Sequence, residues 1–291
     1  TFHYYVYESI INELLNKGIN CHLVINDYFQ EHSETSYMYD DLMEFLQNLD
    51  RNDIDAYTVS MIMKNHFKYD CMVSCYYSNW LNEIAYKQVR VMYGLAKDTW
   101  NFAWWNVFYD KILCYGRYDY NRLNIYNNCV IVGNPKFDKW FKNKFDNLEE
   151  IKEKFLIDEN KKTILYAPTY GHLSSIDDWI DDIKELEKDY NIIIKMHHGT
   201  AFRESEQYRR EKILHNFNNV TSDQSDLFSL FAISDFVISD NSGIIFDAIL
   251  AEQNILLLNP TSQVLRKDGS NEVRIREKII NLEKGDDLRL Y

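Results

Sequence analysis

A chain of 291 residues with 46% hydrophobic and 15% aromatic residues, 22 Tyr and only 3 Pro is long and apolar enough to bury the cores of two lobes, which excludes a disordered or linker-rich protein. The formal net charge of -13 sets the long-range field against nucleic acid and against an anionic membrane face, so an anionic ligand needs a locally positive site. No stretch reaches the roughly 18 apolar residues of a membrane span and no signal segment opens the chain, so a soluble, cytoplasmic protein without a transmembrane segment is expected.

The chain opens without Met in an amphipathic helical pattern that is strongest over residues 7–17, and the first lobe is expected to lack a strand ahead of it. Apolar runs then predict strands at residues 21–26, 56–60, 71–75, 88–93, 111–115 and 129–132, with a further helix over 40–50. The aromatic run 100–109 reads as a helix buried under the first sheet, or as a cradle for an acceptor. Cys21, Cys71, Cys75, Cys114 and Cys129 have no paired metal spacing and read as reduced core thiols. The turn at Gly133, Asn134 and Pro135, followed by the charged run 142–154, divides the chain into lobes 1–140 and 141–291.

In the second lobe, residues 163–170 read as a strand ending in a loop, because Pro168 pushes its predecessor away from helix. A helix is expected over 176–188, with strands at 191–196, 235–239 and 254–258 and helices at 225–232 and 244–251. The acid pairs Asp177-Asp178 and Asp181-Asp182 fall on a helical pattern and read as a solvated face, so no metal ligand is predicted. The last twenty or so residues read as a surface helix crossing back onto the first lobe. This alternation predicts an α/β protein of two Rossmann-type lobes, each with a parallel sheet, and a cleft between them.

Four segments can carry chemistry. Ser239 to Asp247 reads as a strand end turning into a helix, where the backbone N–H groups of Ser242 and Gly243 suit a pyrophosphate; Asp240, Asn241 or Ser242 acting as a plain helix cap is the competing explanation. Asp247, among apolar neighbours, either accepts a hydrogen bond from a ribose or faces solvent. His197 ends its strand, where an imidazole neutralises a phosphate oxygen or shuttles a proton, and Gly199 and Thr200 follow in a loop able to approach a phosphate. Thr169 offers a hydroxyl, His172 an acid or base, and Lys97 a positive charge for the cleft.

Taken together, Gly133-Asn-Pro-Lys-Phe-Asp138, Leu165-Tyr-Ala-Pro-Thr-Tyr170, Lys195-Met-His197 and Ile238-Ser-Asp-Asn-Ser-Gly-Ile-Ile-Phe-Asp247 resemble the CDP-glycerol glycerophosphotransferase family of teichoic acid and capsule polymerases. The resemblance implies a GT-B fold, with the acceptor in the first lobe and a CDP-activated polyol donor in the second. It implies that Asn241, Ser242 and Gly243 hold the donor pyrophosphate, Asp247 the ribose side and His197 the transferred phosphate, with Thr169 in the same pocket. No cofactor beyond the CDP-linked donor is implied. The acceptor would be a glycan or polymer end, and a lipid-linked one would recruit the enzyme to the inner face of the cell membrane. Two departures stand out: Tyr93 occupies the place of the family's first-lobe base, a histidine, and Gly171 with His172 replaces an Arg. The Ser239 to Gly243 segment is also similar to the nucleotide-sugar site of glycosyltransferases and UDP-N-acetylglucosamine 2-epimerases, and the Tyr93 departure leaves a non-catalytic nucleotide-binding partner as a third reading.

Overall fold

The computed structural model describes residues 2–31, 36–126, 128–142, 145, 147–223, 227–262 and 269–291. Its strands are β1 (His22–Ile25), β2 (Asp55–Thr58), β3 (Tyr69–Ser74), β4 (Ala85–Val91), β5 (Lys111–Cys114), β6 (Cys129–Ile131), β7 (Thr163–Ala167), β8 (Asn191–Lys195), β9 (Val220–Thr221), β10 (Phe236–Ser239), β11 (Asn254–Leu258) and β12 (Asn281–Leu282). Every pairing between these strands is parallel, and helices occupy most of the connections, as parallel crossovers require. The chain divides into two units, Thr1–Tyr93 with Phe102–Phe141, and Gly94–Asn101 with Lys142–Tyr291.

In the first unit β1 pairs with β2, and a second sheet runs β3-β4-β5-β6. Its core includes Met92, Tyr109, Ile112, Cys114 and Leu123. The fully buried Arg90 spends its guanidinium on the Cys75 carbonyl at 3.3 Å and the Asn106 side chain, and lies 4.5 Å from the Trp105 ring centroid. A buried cation costs heavily unless its donors are matched, so this network fixes the loop around residues 104–106.

The second unit carries a sheet of order β12-β11-β10-β7-β8-β9. Ile192, Ile193 and Ile194 are all buried, as expected of an inner strand covered on both faces. From β7 the chain winds outward through β8 and β9, then returns to the other side of β7 as β10 and winds the opposite way. The connections therefore diverge between β7 and β10, and in an open parallel sheet the crevice beyond the carboxyl ends at such a point accepts ligands. Here Ser239 stands opposite Ala167 in register and donates its hydroxyl to the Ala167 carbonyl at 2.7 Å.

Several sequence expectations need correction. The predicted strand 56–60 stops at Thr58, because the Thr58 hydroxyl accepts the Met61 N–H and caps the helix Val59–Lys64. Residues 100–109 form a short helix Asp98–Asn101 and a 3-10 segment Trp104–Phe108 instead of one buried helix; Trp105 and Tyr109 are buried, whereas Trp104 is 68% exposed. Cys71 is exposed, so only Cys75, Cys114 and Cys129 are buried thiols. In place of a long C-terminal helix there is a four-residue helix Asn271–Arg274, and the strand β12 extends the second sheet beside β11. Residues 225 and 226 of the predicted helix 225–232 lie outside the described residues; the helix is seen over Leu227–Ile233. No helix among the described residues is long and apolar enough to cross a membrane.

Candidate functional site

The carboxyl edge of the second sheet is organised by a carboxylate that sequence reasoning treated only as a possible cap. Asp240, fully buried directly after β10, accepts the Thr169 N–H at 2.8 Å and the Asn241 N–H at 2.5 Å on Oδ1. Its Oδ2 accepts the Ser175 N–H at 2.7 Å and the Ser175 hydroxyl at 2.8 Å. Burial pushes the Asp240 carboxyl up from its ordinary value, and the converging N–H donors pull against that rise. The loop after β7 is thereby tied to the loop after β10 across the switch point. Arg276 closes the arrangement from behind, donating to the Asp240 carbonyl at 2.5 Å and to Asn259 Oδ1 at 2.6 Å.

His197 stands two residues beyond β8, which ends at Lys195 rather than at the histidine itself. Its Nδ1 accepts the Gly199 N–H at 3.0 Å and so caps the helix His198–Phe202, which places the ring proton on Nε2 as a donor. The imidazole stacks on Tyr170 with centroids 4.6 Å apart and packs against His198 at 4.2 Å, while the Arg203 guanidinium lies 4.9 Å from the Tyr170 ring centroid. Burial, then the neighbouring His198 and the charges of Lys97, Lys195 and Arg203, depress the His197 pKa to about 2. Burial and the same three cations take His198 down to about 4. In a chain of net charge -13, this edge is a local concentration of positive charge. A neutral His197 in the free protein is a hydrogen-bond donor, which favours the phosphate-binding role over proton shuttling.

These depressed values have a consequence for stability. Below pH 6.5, the ordinary imidazole pKa, the unfolded chain binds protons that the folded protein refuses, so stability is complete above that pH and falls as pH drops through it. The loss is at most about 1.4 kcal/mol per pH unit per imidazole, reduced because solvent partly reaches both rings. For His198 it levels off near pH 4. Thermal melts between pH 7.5 and 5 should show a falling Tm, and a shallower fall in His198→Gln; identical slopes in the two proteins would contradict this electrostatic picture.

The remaining predicted residues divide clearly. Thr169, Asn241 and Ser242 are buried at the same edge; Asn241 Nδ2 donates to the Leu173 carbonyl at 3.0 Å, and Ser242 Oγ lies 3.5 Å from the Ile244 N–H. Gly243 is the cap of the seven-residue helix Ile244–Leu250, on which Asp247 is half-buried rather than enclosed. Thr200 does not sit in an open loop: it is fully buried within the helix His198–Phe202. Gly199 is required by packing, since a Cβ there would lie 2.6 Å from the Tyr170 ring. Lys97, counted with the second unit, bears on both imidazoles. His172 is exposed in the 3-10 segment Gly171–Leu173. Tyr93 belongs to the first unit, where its ring packs 4.9 Å from Tyr76 and 5.8 Å from His3.

Three of the four helix acids are paired within the second unit, and Asp181 is exposed. Asp177 takes Arg209 at 2.6 Å, Asp178 takes the Thr261 N–H at 2.8 Å, and Asp182 pairs with Lys284. No group of three or more potential metal ligands occurs among the described residues. Sequence reasoning missed Asp240 as a hub, although an acid placed directly after a buried strand was the available signal. It also missed Arg203, Glu272 and Arg276, which no local pattern marks.

Comparison with known proteins gives a consistent result. The family model for CDP-Glycerol:Poly(glycerophosphate) glycerophosphotransferase matches residues 117–261, which include His197, Asp240 and Asp247 but not Tyr93, Lys97 or Glu272. A teichoic acid poly(glycerol phosphate) polymerase of Bacillus spizizenii is 29% identical over 135 residues, 43% of this chain and 33% of that one. The chain thus matches about a third of the length of its curated relatives. Among solved structures, the wall teichoic acid polymerase TagF gives a TM-score of 0.59 at 16% identity over 99% of this chain and 87% of that one. The UDP-GlcNAc 2-epimerase from Neisseria meningitidis, bound to UDP-GlcNAc, gives 0.61 at 17% identity over 94% of this chain and 87% of that one. At such identities the likeness is one of fold, a GT-B-like α/β architecture with parallel sheets.

Proposed function

The chain belongs to the CDP-glycerol glycerophosphotransferase family, and from that premise we propose that it transfers glycerol phosphate, or a related polyol phosphate, from a CDP-activated donor to a glycan or polymer end in cell-surface polymer synthesis. The observation that carries the reading is the edge itself: a neutral His197 with an Nε2–H donor, within reach of the charges of Lys97, Lys195 and Arg203, beside a switch point braced by Asp240. A diphosphate is the ligand chemistry such an edge recognises.

In this reaction an acceptor hydroxyl oxygen attacks the β-phosphorus of the donor, the bond to the bridging oxygen breaks, and CMP leaves with the electron pair. The hydroxyl proton passes to a base or to solvent. The chain's task is to position the donor and neutralise charge spreading onto the bridging and equatorial oxygens, which suits fixed donors better than a titrating acid. In this reading the second unit holds the donor and the first supplies the acceptor side. A lipid-linked acceptor would bring the protein to the inner face of the membrane.

The test is CMP release from CDP-glycerol with and without a poly(glycerol phosphate) acceptor, alongside CDP-ribitol and UDP-N-acetylglucosamine. Acceptor-dependent CMP release is the expected outcome. Turnover of UDP-N-acetylglucosamine alone would move the chain to nucleotide-sugar chemistry, and tight binding with no turnover would make it a binding protein.

A further inference from the structure

Residues 94–101 approach the carboxyl edge under unusual restraint. Lys97 has φ of 60°, a left-handed conformation that costs a side-chain-bearing residue about 1–3 kcal/mol and persists only where neighbours enforce it. In that conformation its N–H donates to Glu272 Oε1 at 3.2 Å. Two residues earlier, Asn271 Nδ2 donates to the Leu95 carbonyl at 2.7 Å. Between these anchors Ala96 is nearly buried, its Cβ lying 3.5 Å from the position a Cβ on Gly243 would take. The fully buried Asn101 completes the turn from within, donating to the Gly94 carbonyl at 3.2 Å and the Ala96 carbonyl at 2.5 Å.

Glu272 is only 3% exposed, and the carbonyl of the same residue accepts from Arg276, the side chain that also holds the Asp240 carbonyl and Asn259. The anchor of Lys97 is therefore continuous with the hub that fixes the loops at the switch point. Neither Asn271 nor Glu272 lies in the part of the chain that matches the family model.

We propose that Asn271 and Glu272 form a latch that sets the backbone of Lys97, so that its ammonium serves the anion-binding edge at His197 and His198. Both are positioning residues, acting through Lys97 without touching the ligand, and the proposal rests on the diphosphate reading of that edge. A carboxylate near an anion site is itself unfavourable by charge, so its retention here follows from the N–H it accepts. Glutamine keeps that acceptor without the charge.

Titration calorimetry with inorganic pyrophosphate tests the latch separately from turnover. Lys97→Met should weaken pyrophosphate binding about tenfold to a hundredfold, the worth of one charge-assisted contact, with a shallower salt dependence. Glu272→Ala should approach the same loss, and the double variant should be no weaker than Lys97→Met alone, because both changes remove one interaction. Glu272→Gln should bind as the wild-type protein does, or more tightly. Additive losses in the double variant, an unaltered Glu272→Ala, or a wild-type protein that does not bind pyrophosphate would each overturn the latch. CMP release from CDP-glycerol reads the functional assignment independently, so pyrophosphate coupling without turnover would keep the latch and reject the transferase.

Discussion

His197→Ala is expected to lower acceptor-dependent CMP release by about 10²–10³-fold, the usual worth of one pre-organised donor at a site of developing charge, while the protein stays folded. The ring does three jobs: it presents an Nε2–H, because Nδ1 accepts from Gly199, stacks on Tyr170, and caps the helix His198–Phe202 through Nδ1. The stack and the cap both bear on stability, each worth about 1 kcal/mol for contacts of this kind. His197→Gln restores an N–H donor without the stack and should recover part of the rate. Because burial and nearby cations keep the free imidazole neutral, kcat/KM should show no ionisation of His197 between pH 5 and 8. Steady-state rates for the three proteins across that range check the prediction, and wild-type turnover in His197→Ala would remove the residue from the site.

Asp240→Asn should be the most damaging conservative substitution in the second unit. The carboxylate meets two donors on each oxygen and no acceptor. An asparagine must turn its NH2 toward one of those pairs, leaving at least one buried backbone N–H without a partner and setting donor against donor. A buried hydrogen bond to a charged group is worth about 1.5–3 kcal/mol, and an abandoned donor costs about 1–3 kcal/mol more. A loss of roughly 3 kcal/mol corresponds to a Tm drop of roughly 6–12 °C for a unit of this size. Donor binding should fall with it, because the loop carrying Thr169 and Tyr170 is held by the same carboxylate. A melting temperature within one or two degrees of the wild-type value would show that Asp240 does not brace the edge.

Much of this architecture was readable from residue patterns. The β-branched run Asn191–Lys195, the Pro168 stop after β7 and the polar end of β10 each placed a strand terminus close to where it stands, because buried parallel strands need continuous apolar runs and end where the backbone must turn. That alone put Thr169, His197 and Ser242 at one edge. Burial and pairing were harder to read. Trp100 and Trp104 lie in an apolar run yet remain more than half exposed, since tertiary packing decides which ring turns inward. The short strands β9 and β12 have two residues each, too few for any periodicity. Glu272 meets Lys97 across most of the chain length, and no local signal reports such a contact. The helical reading of the C-terminal residues failed because charged composition suits a solvated helix and an edge strand alike.

Crystals soaked in CDP-glycerol would show whether the carboxyl edge of the second sheet holds a diphosphate. Density for the diphosphate is expected at the carboxyl ends of β8 and β10, with an oxygen within hydrogen-bond distance of His197 Nε2 and the ammonium of Lys97 turned toward it. A nucleotide held elsewhere in the molecule, or an edge filled by the protein's own side chains with donor in excess, would contradict it.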